Sequence, residues 1–488
     1  MLFNSLHFLV FFPVVLGLYF ALPARWRAPL LLGSSYYFYL SWKPEYGLLL
    51  AGTTLLDYYS GVRMSRLASP AQRRPWLYLS LASNLGTLFI FKYFNFFTTA
   101  AVELAAALHA PFAAPTLALA LPVGVSFYTF QSVAYIVDVY QGKLAAEQNL
   151  GRFALFVAFW PQLVAGPIER GAQMLPQLQQ PHGFDYGRVA SGLRLMAWGM
   201  FKKVVLADRL AQMVNPVFNH PHQHQGLMLW LAVGGFTLQI YTDFSGYTDL
   251  ARGAARTLGY NLVLNFRQPY FAASVGDFWR RWHMSLSNWF RDYVYIPLGG
   301  NRRGPVRRYA NLFIVFLLSG LWHGASWTFV AWGALHGFYL VAEAFTQPGR
   351  AALAHRLGLA TRPRLLHALG VASTLLLVSY AWIFFRANTL ADAFYISAHL
   401  FRGWGDLTSR SAMLTIGHFL LSYRPEAVIT PLAIGLLLAV DLRLEFPTLA
   451  ARWGRPAAPL RWAGYLLLLL AMLFLGFFNS SQFIYFQF

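Results

Sequence analysis

The chain has 488 residues, of which 57% are hydrophobic, 17% aromatic and only 11% charged, and its mean hydropathy is +0.45. So few charged side chains cannot cover a soluble protein of this size, which indicates an integral membrane protein. Cysteine is absent, which excludes disulfides, thiolate metal ligands, a cysteine nucleophile and S-palmitoylation.

Long apolar runs recur along the whole chain and predict an all-α integral membrane protein. At about 20 residues for each crossing of the hydrocarbon core, they predict roughly 11 transmembrane helices. Several runs are too short to cross alone, so we expect some of them to be tilted or re-entrant and to line a cavity. The runs cover residues 2–22, 29–42, 46–59, 76–97, 117–139, 153–164, 189–207, 227–241, 309–321, 326–341, 365–385, 427–440 and 462–478.

The net charge of +20 comes mainly from clusters of lysine and arginine between these runs. The positive-inside rule assigns the clusters to the cytoplasm, so we interpret the charge as topology and contact with anionic lipid, with no nucleic-acid partner. Residues 1–5 carry no positive charge and Arg25 and Arg27 follow the first run. This predicts an uncleaved first helix and an N-terminus outside the cytoplasm. The basic clusters are 63–74, 202–209, 252–267, 302–308 and 350–364.

No linker, low-complexity tract or internal repeat divides the sequence, which predicts one membrane-embedded domain over residues 1–488. Short polar loops are predicted at 177–186 and 220–225, and the longest polar connection at 347–364. The second loop holds His220, His222 and His224; without nearby carboxylates in the sequence, we interpret this run as incidental and predict no metal site.

The segment 276–324 contains two histidines with unusual surroundings. Apolar residues recur at helical spacing over 277–296, which predicts one amphipathic helix with His283 at the edge of its apolar stripe. A histidine in that position suits a cavity at the membrane boundary, although an interfacial anchor helix with an incidental histidine gives the same pattern.

His323 lies within an apolar run, between Gly320 and Gly324, which predict a close backbone approach or a break in the helix. A lone histidine at membrane depth is either a hydrogen-bonded core residue or part of a functional site. The presence of His283 favours the functional site. On a continuous helix His336 would point to nearly the opposite side, so we interpret it as packing or as support.

Eight arginines and only two aspartates lie between residues 267 and 308. They are explained either by the positive-inside rule or by binding of a donor with several phosphates, because guanidinium groups bind phosphate in a bidentate manner. Upstream, Asp243 follows an apolar run and either pairs with an arginine or orients a catalytic base, with the structural role slightly favoured. The candidate substrate-binding residues are Asp243, Trp279, Arg280, Arg281, Arg302, Arg303 and Trp322.

A series of sequence blocks runs nearly from end to end of the chain, at residues 1–5, 34–39, 122–131, 166–170, 241–247, 279–301, 320–324, 385–387 and 483–488. In these blocks and their order, the sequence resembles the bacterial membrane-bound O-acyltransferase (MBOAT) family, in the branch typified by alginate O-acetylation. In that family the histidine of the Leu-Trp-His-Gly motif, here His323, is catalytic, and that of the Trp-His-x-Ser-Leu-Ser motif, here His283, is the second invariant polar group.

The resemblance implies a helical ring around a central tunnel, in a multi-pass protein of the bacterial inner membrane. It implies acetyl-CoA or another acyl thioester as donor substrate, no bound cofactor, and an exported polysaccharide as acceptor. An acid-base histidine suits this reaction because it can take the proton of the acceptor hydroxyl. A periplasmic or extracellular acyltransferase of the SGNH type is the implied partner, since the chain has no sizeable soluble domain.

Two other functions fit parts of the pattern. In a proton-coupled transporter or flippase, Asp243, His283 and His323 would form a proton relay, but the paired repeats frequent in transporters are not found. A polyprenyl-linked glycosyltransferase is less consistent with the sequence, because it contains no Asp-x-Asp motif to hold a metal-bound sugar phosphate.

Overall fold

The secondary structure is helical throughout the part of the chain that the computed structural model describes. Within that part there is no β-strand, which confirms the predicted all-α class. The terminal block 483–488, used in the resemblance, lies outside the described residues except for its first two positions. The described residues are 1–110, 112–403, 424–452, 457–478 and 483–484.

The chain divides into two compact units. The first comprises Met1–Met196 and Thr248–Val263, and the second comprises Ala197–Tyr247 and Leu264–Phe488. The prediction of one domain over the whole chain is not tested by this division and stays a prediction.

Polar side chains begin several helices of the first unit. The Ser5 hydroxyl accepts a hydrogen bond from the Phe8 amide at 3.2 Å, and the Asn149 side chain accepts one from the Arg152 amide at 2.9 Å. Such N-caps satisfy amides that the first helical turn leaves unpaired. The helices that begin in this unit are α1 (Leu6–Ala21), α2 (Ala24–Leu40), α3 (Glu45–Ser65), α4 (Pro70–Leu88), α5 (Phe94–Ala107), α6 (Val125–Tyr140), α7 (Leu150–Ala158), α8 (Trp160–Leu163), α9 (Gly171–Leu178) and α10 (Tyr186–Phe201).

The second unit contains the segment that the sequence singles out. Its longest helix is α16, with 30 residues, and the part of α12 up to Tyr247 also belongs to this unit. The helices that begin here are α11 (Asp208–Asn219), α12 (Leu227–Leu258), α13 (Val275–Trp279), α14 (Met284–Phe290), α15 (Gly304–His323), α16 (Trp327–Arg356), α17 (Pro363–Arg386), α18 (Leu390–His399), α19 (Arg424–Glu445), α20 (Pro447–Arg452) and α21 (Ala458–Leu475).

Four helical segments among the described residues are long and apolar enough to cross a membrane, namely Pro70–Ala107, Leu227–Leu258, Pro363–Arg386 and Ala458–Leu475. The first of these combines α4 and α5 through a π-helical turn. Together with the shorter apolar helix Leu6–Ala21, these four segments indicate a multi-pass membrane protein. The predicted number of about 11 crossings stays a prediction.

Helices α15 and α16 pack closely because glycines occupy their contact. A methyl group added to Gly320 would collide with the carbonyl oxygen of Phe329, and one added to Gly333 would collide with that of Phe316. Only glycine permits backbones to approach this closely. The close approach predicted from Gly320 is therefore confirmed, and it fixes the end of α15, where His323 lies.

Two predicted elements are wrong. The single amphipathic helix over 277–296 is broken: α13 ends at Trp279, α14 begins at Met284, and a π-helical turn follows it. The polar connection predicted at 347–364 is helical as far as Arg356, because α16 continues beyond its apolar part. At His283 the break lies among buried side chains, whereas α16 ends among exposed residues, where Gly358 adopts a left-handed conformation with φ +65°.

Candidate active site

His283 occupies the break between α13 and α14. It is fully buried and has φ +42° and ψ +53°, the left-handed region of backbone conformation. A residue with a Cβ atom pays about 1 to 3 kcal/mol to adopt such a conformation, which persists only where the surroundings hold it. The structure around His283 therefore holds this break in place.

His323 is the last residue of α15 and is 3% exposed. Gly324 follows in extended conformation, so the predicted break in the helix is confirmed. Aromatic side chains surround the imidazole: its ring centroid lies 5.0 Å from that of Trp332 and 5.4 Å from that of Phe385. Such a wall fixes the ring and excludes water.

The structure brings the two predicted histidines together. Their ring centroids are 6.3 Å apart, with an angle of 50° between the planes. Phe244 packs on His283 with centroids 4.7 Å apart, and Trp322 lies 6.0 Å from His283 and 5.0 Å from His323. At this separation, one small reacting group between the rings can contact both of them.

A cavity of about 510 Å³ lies in the second unit and extends along one face of α15. On that helix its lining contains Arg308, Leu312, Val315 and Ser319, which recur at helical spacing. His323 lies one turn beyond Ser319 on the same helix, outside the lining itself. The volume is within the range of small-molecule sites, and the lining is apolar inside and basic at the rim.

Four arginines line this cavity, namely Arg267, Arg280, Arg291 and Arg308. All four are exposed. Arg280 and Arg291 have aspartates nearby, at 3.8 Å and 2.8 Å respectively. Within the described part of the chain, Arg267 and Arg308 form no ion pair with a carboxylate. These positive charges suit a ligand that carries phosphates.

The other arginines predicted to bind substrate are placed differently. Arg281 forms ion pairs with Asp277 at 2.9 Å and with Glu445 at 2.8 Å, and only 13% of its side chain is exposed. Arg302 and Arg303 are exposed but do not line the cavity. The helical spacing between Arg308 and His323 is the sequence signal that distinguishes Arg308 from them.

Comparisons with known proteins identify the family of the chain. Residues 146–385, which include both histidines, match the model of the membrane-bound O-acyltransferase family. The chain is 39% identical to a probable alginate O-acetylase of Pseudomonas putida, over 91% of this chain and 87% of that protein. The chain belongs to the membrane-bound O-acyltransferase family.

The names of two further relatives of this O-acyltransferase specify other polymers. A peptidoglycan O-acetyltransferase of Helicobacter pylori is 36% identical, over 80% of this chain and 78% of that protein. A teichoic acid D-alanyltransferase of Bacillus subtilis is 28% identical, over 46% of this chain and 59% of that protein. The family identifies the chain as an O-acyltransferase, and it agrees with the helical, multi-pass membrane fold class.

In this O-acyltransferase, Asp243 pairs with a lysine and not with an arginine. The Lys203 ammonium lies 2.7 Å from Asp243 and 2.8 Å from Asp208, and all three side chains are buried. The second carboxylate oxygen of Asp243 accepts a hydrogen bond from the amide of Ile484 at 2.8 Å. These contacts favour the structural interpretation of Asp243 over the orientation of a catalytic base.

Trp279 and His336 pack against each other and against Trp332, which contacts His323. The Trp279 indole donates a hydrogen bond to Nδ1 of His336 at 3.2 Å, and both side chains are buried. The premise of a continuous helix from His323 to His336 is wrong, because α15 ends at His323. The interpretation of His336 as a packing residue fits its position between Trp279 and Trp332, at 5.0 Å and 4.9 Å between ring centroids.

No group of three histidine, cysteine, aspartate or glutamate side chains is placed to hold a metal ion among the described residues. The histidine run at 220–224 lies in the predicted loop, where His222 approaches Asp392 to 3.3 Å. A carboxylate that is distant in the sequence therefore lies beside His222.

Proposed function

We propose that this O-acyltransferase moves an acetyl group from a cytoplasmic thioester, acetyl-CoA or an acyl carrier, towards the hydroxyl groups of an exported polysaccharide. The observation that carries the proposal is the pair of buried histidines, 6.3 Å apart, of which His323 ends the helix that forms one wall of an arginine-lined cavity. The names of the relatives support a polysaccharide acceptor, since they specify alginate and peptidoglycan. The membrane would be the bacterial inner membrane.

In the proposed reaction, His323 acts as general base. It takes the proton of the acceptor hydroxyl while the hydroxyl oxygen bonds to the thioester carbonyl carbon. The carbon–sulfur bond then breaks, the acyl group stays on the acceptor oxygen, and the thiol leaves with a proton that His323 returns. His283 lies on the opposite side of the reacting group and supplies a hydrogen bond to it.

The cavity is assigned to the donor in this proposal. Arg267 and Arg308 at its rim would bind the donor phosphates, and the apolar wall along α15 would take the thioester arm towards Ser319 and His323. Trp279 forms part of that wall, and Trp322 closes the space beside the histidines.

The proposal is tested with purified protein in liposomes, supplied with radiolabelled acetyl-CoA, polysaccharide and a periplasmic extract as the source of a second acyltransferase. The expected result is consumption of the thioester that depends on acceptor and is lost in His323→Ala. Transport of a proton or of a lipid-linked sugar without thioester consumption would instead establish the transporter.

A second protein completes the proposed pathway. The donor is cytoplasmic while the polymer is outside, so an SGNH-type acyltransferase in the periplasm would receive the acetyl group on a serine and pass it to the polymer. Reconstitution tests this step: polymer acetylation should require the partner. Full-rate acetylation by the purified protein alone, across a sealed liposome, would refute the relay.

A further inference from the structure

A short segment beginning at Asn265 lies against the turn that contains His283. The Met284 amide donates a hydrogen bond to the Asn265 backbone carbonyl at 2.9 Å. The next amide, that of Ser285, donates to the Asn265 side-chain oxygen Oδ1 at 3.1 Å. One residue thus holds the two amides that follow His283.

The same segment also holds the chain before His283. The Arg267 amide donates to the Arg281 carbonyl at 3.0 Å. Between these attachments, Phe266 packs on Trp282 and on Phe244, with ring centroids 5.0 Å apart in both cases. Phe244 in turn packs on the His283 imidazole. The turn is therefore fixed from both sides and from the ring face.

This attachment explains how a histidine keeps a conformation that favours glycine. Among the described residues other than glycine, positive φ occurs at His109, Gln268 and His283. Only His283 of these three is buried. Asn265 is also completely buried, so loss of its acceptor would leave the Ser285 amide without a replacement from solvent.

We propose that Asn265 is a positioning residue: it holds the backbone of His283 in the left-handed conformation and thereby directs the imidazole towards His323. In a continuous helix over 277–296, which the sequence pattern favours, the His283 side chain would point in a different direction. The backbone claim stands on the geometry alone, and its kinetic consequence rests on the proposed function.

Thermal unfolding of the purified protein in detergent tests the backbone claim without any activity measurement. Asn265→Ala is made in the wild type, in His283→Ala and in His283→Gly. Asn265→Ala frees the turn to leave the left-handed conformation, which relieves the Cβ penalty in the two backgrounds that have a Cβ atom at residue 283. The loss of Tm should therefore be larger in the glycine background than in the other two. Equal losses in all three backgrounds would overturn the proposal.

Kinetics test the consequence for catalysis. Asn265→Ala should lower kcat by about 10²-fold with little change in the donor KM, since a small displacement of a reacting group has that effect. Asn265→Asp keeps an acceptor oxygen at the same position and should retain activity within about threefold of the wild type. If the folded aspartate variant is as impaired as the alanine variant, the hydrogen bond from the Ser285 amide to residue 265 does not position His283.

Asn84→Ala serves as the matched control. Asn84 is a completely buried asparagine of the first unit, whose amide donates to Asp57 at 2.8 Å and to the Ser80 carbonyl at 3.0 Å. Its truncation should lower Tm while kcat stays at the wild-type value. His283→Ala with wild-type turnover would refute the proposed function, whereas the Tm comparison would still decide the backbone claim.

Discussion

Replacing His323 by alanine removes the proposed general base and leaves the surrounding aromatic wall in place. The imidazole is 3% exposed, at the end of α15, and packs against Trp332 and Phe385. Because the helix end is set by the glycine contact at Gly320, we expect the variant to insert into the membrane and to be recovered in near-normal yield.

The expected loss of rate follows from the role assigned to the imidazole. A positioned general base contributes about 10²- to 10⁴-fold, which corresponds to about 3 to 5 kcal/mol in the activation free energy. The site is enclosed by side chains, so water has no easy access to replace the base. We therefore expect turnover below about one hundredth of the wild-type value.

The assay is donor thioester consumption by purified protein at saturating acceptor. His336→Ala is the control, because it truncates an equally buried imidazole that accepts a hydrogen bond from Trp279. The control should lose stability but keep turnover within about tenfold of the wild type. Turnover of His323→Ala above about a tenth of the wild-type value would refute the assignment of the base.

His283→Ala should also lose at least about 10²-fold in turnover while the protein stays folded, as judged by size-exclusion chromatography and thermal unfolding. Arg308→Ala should raise the donor KM more than it lowers kcat, whereas Arg302→Ala, outside the cavity, should leave the donor KM unchanged in the same steady-state assay. Gly320→Ala should destabilise by about 1 to 3 kcal/mol because the added methyl group meets a carbonyl oxygen of α16, while Gly234→Ala, which has open space beside it, should not lower the midpoint of detergent unfolding.

The sequence predicts the class of fold and the two central residues. Apolar runs identify the helices because a bilayer imposes one simple requirement on composition. The histidines stand out because polar side chains at membrane depth are costly. Gly320 also predicts a close helix contact, which the structure places between α15 and α16.

The path of the chain around His283 could not be predicted from the sequence. Periodicity over 277–296 favours one helix, whereas the amides of Met284 and Ser285 donate hydrogen bonds to Asn265, which lies outside that segment. The partner of Asp243 was missed for the same reason: Lys203 lies 40 residues away and on a different helical element. Local patterns carry no information about such long-range contacts.

The most direct test of the central claim is mass spectrometry of the exported polysaccharide from cells that lack this gene. Complementation with the wild-type chain should restore O-acetyl groups, and complementation with His323→Ala or His283→Ala, at equal membrane abundance, should not. Full acetylation in cells that carry either histidine variant would contradict an acyl transfer that depends on this pair.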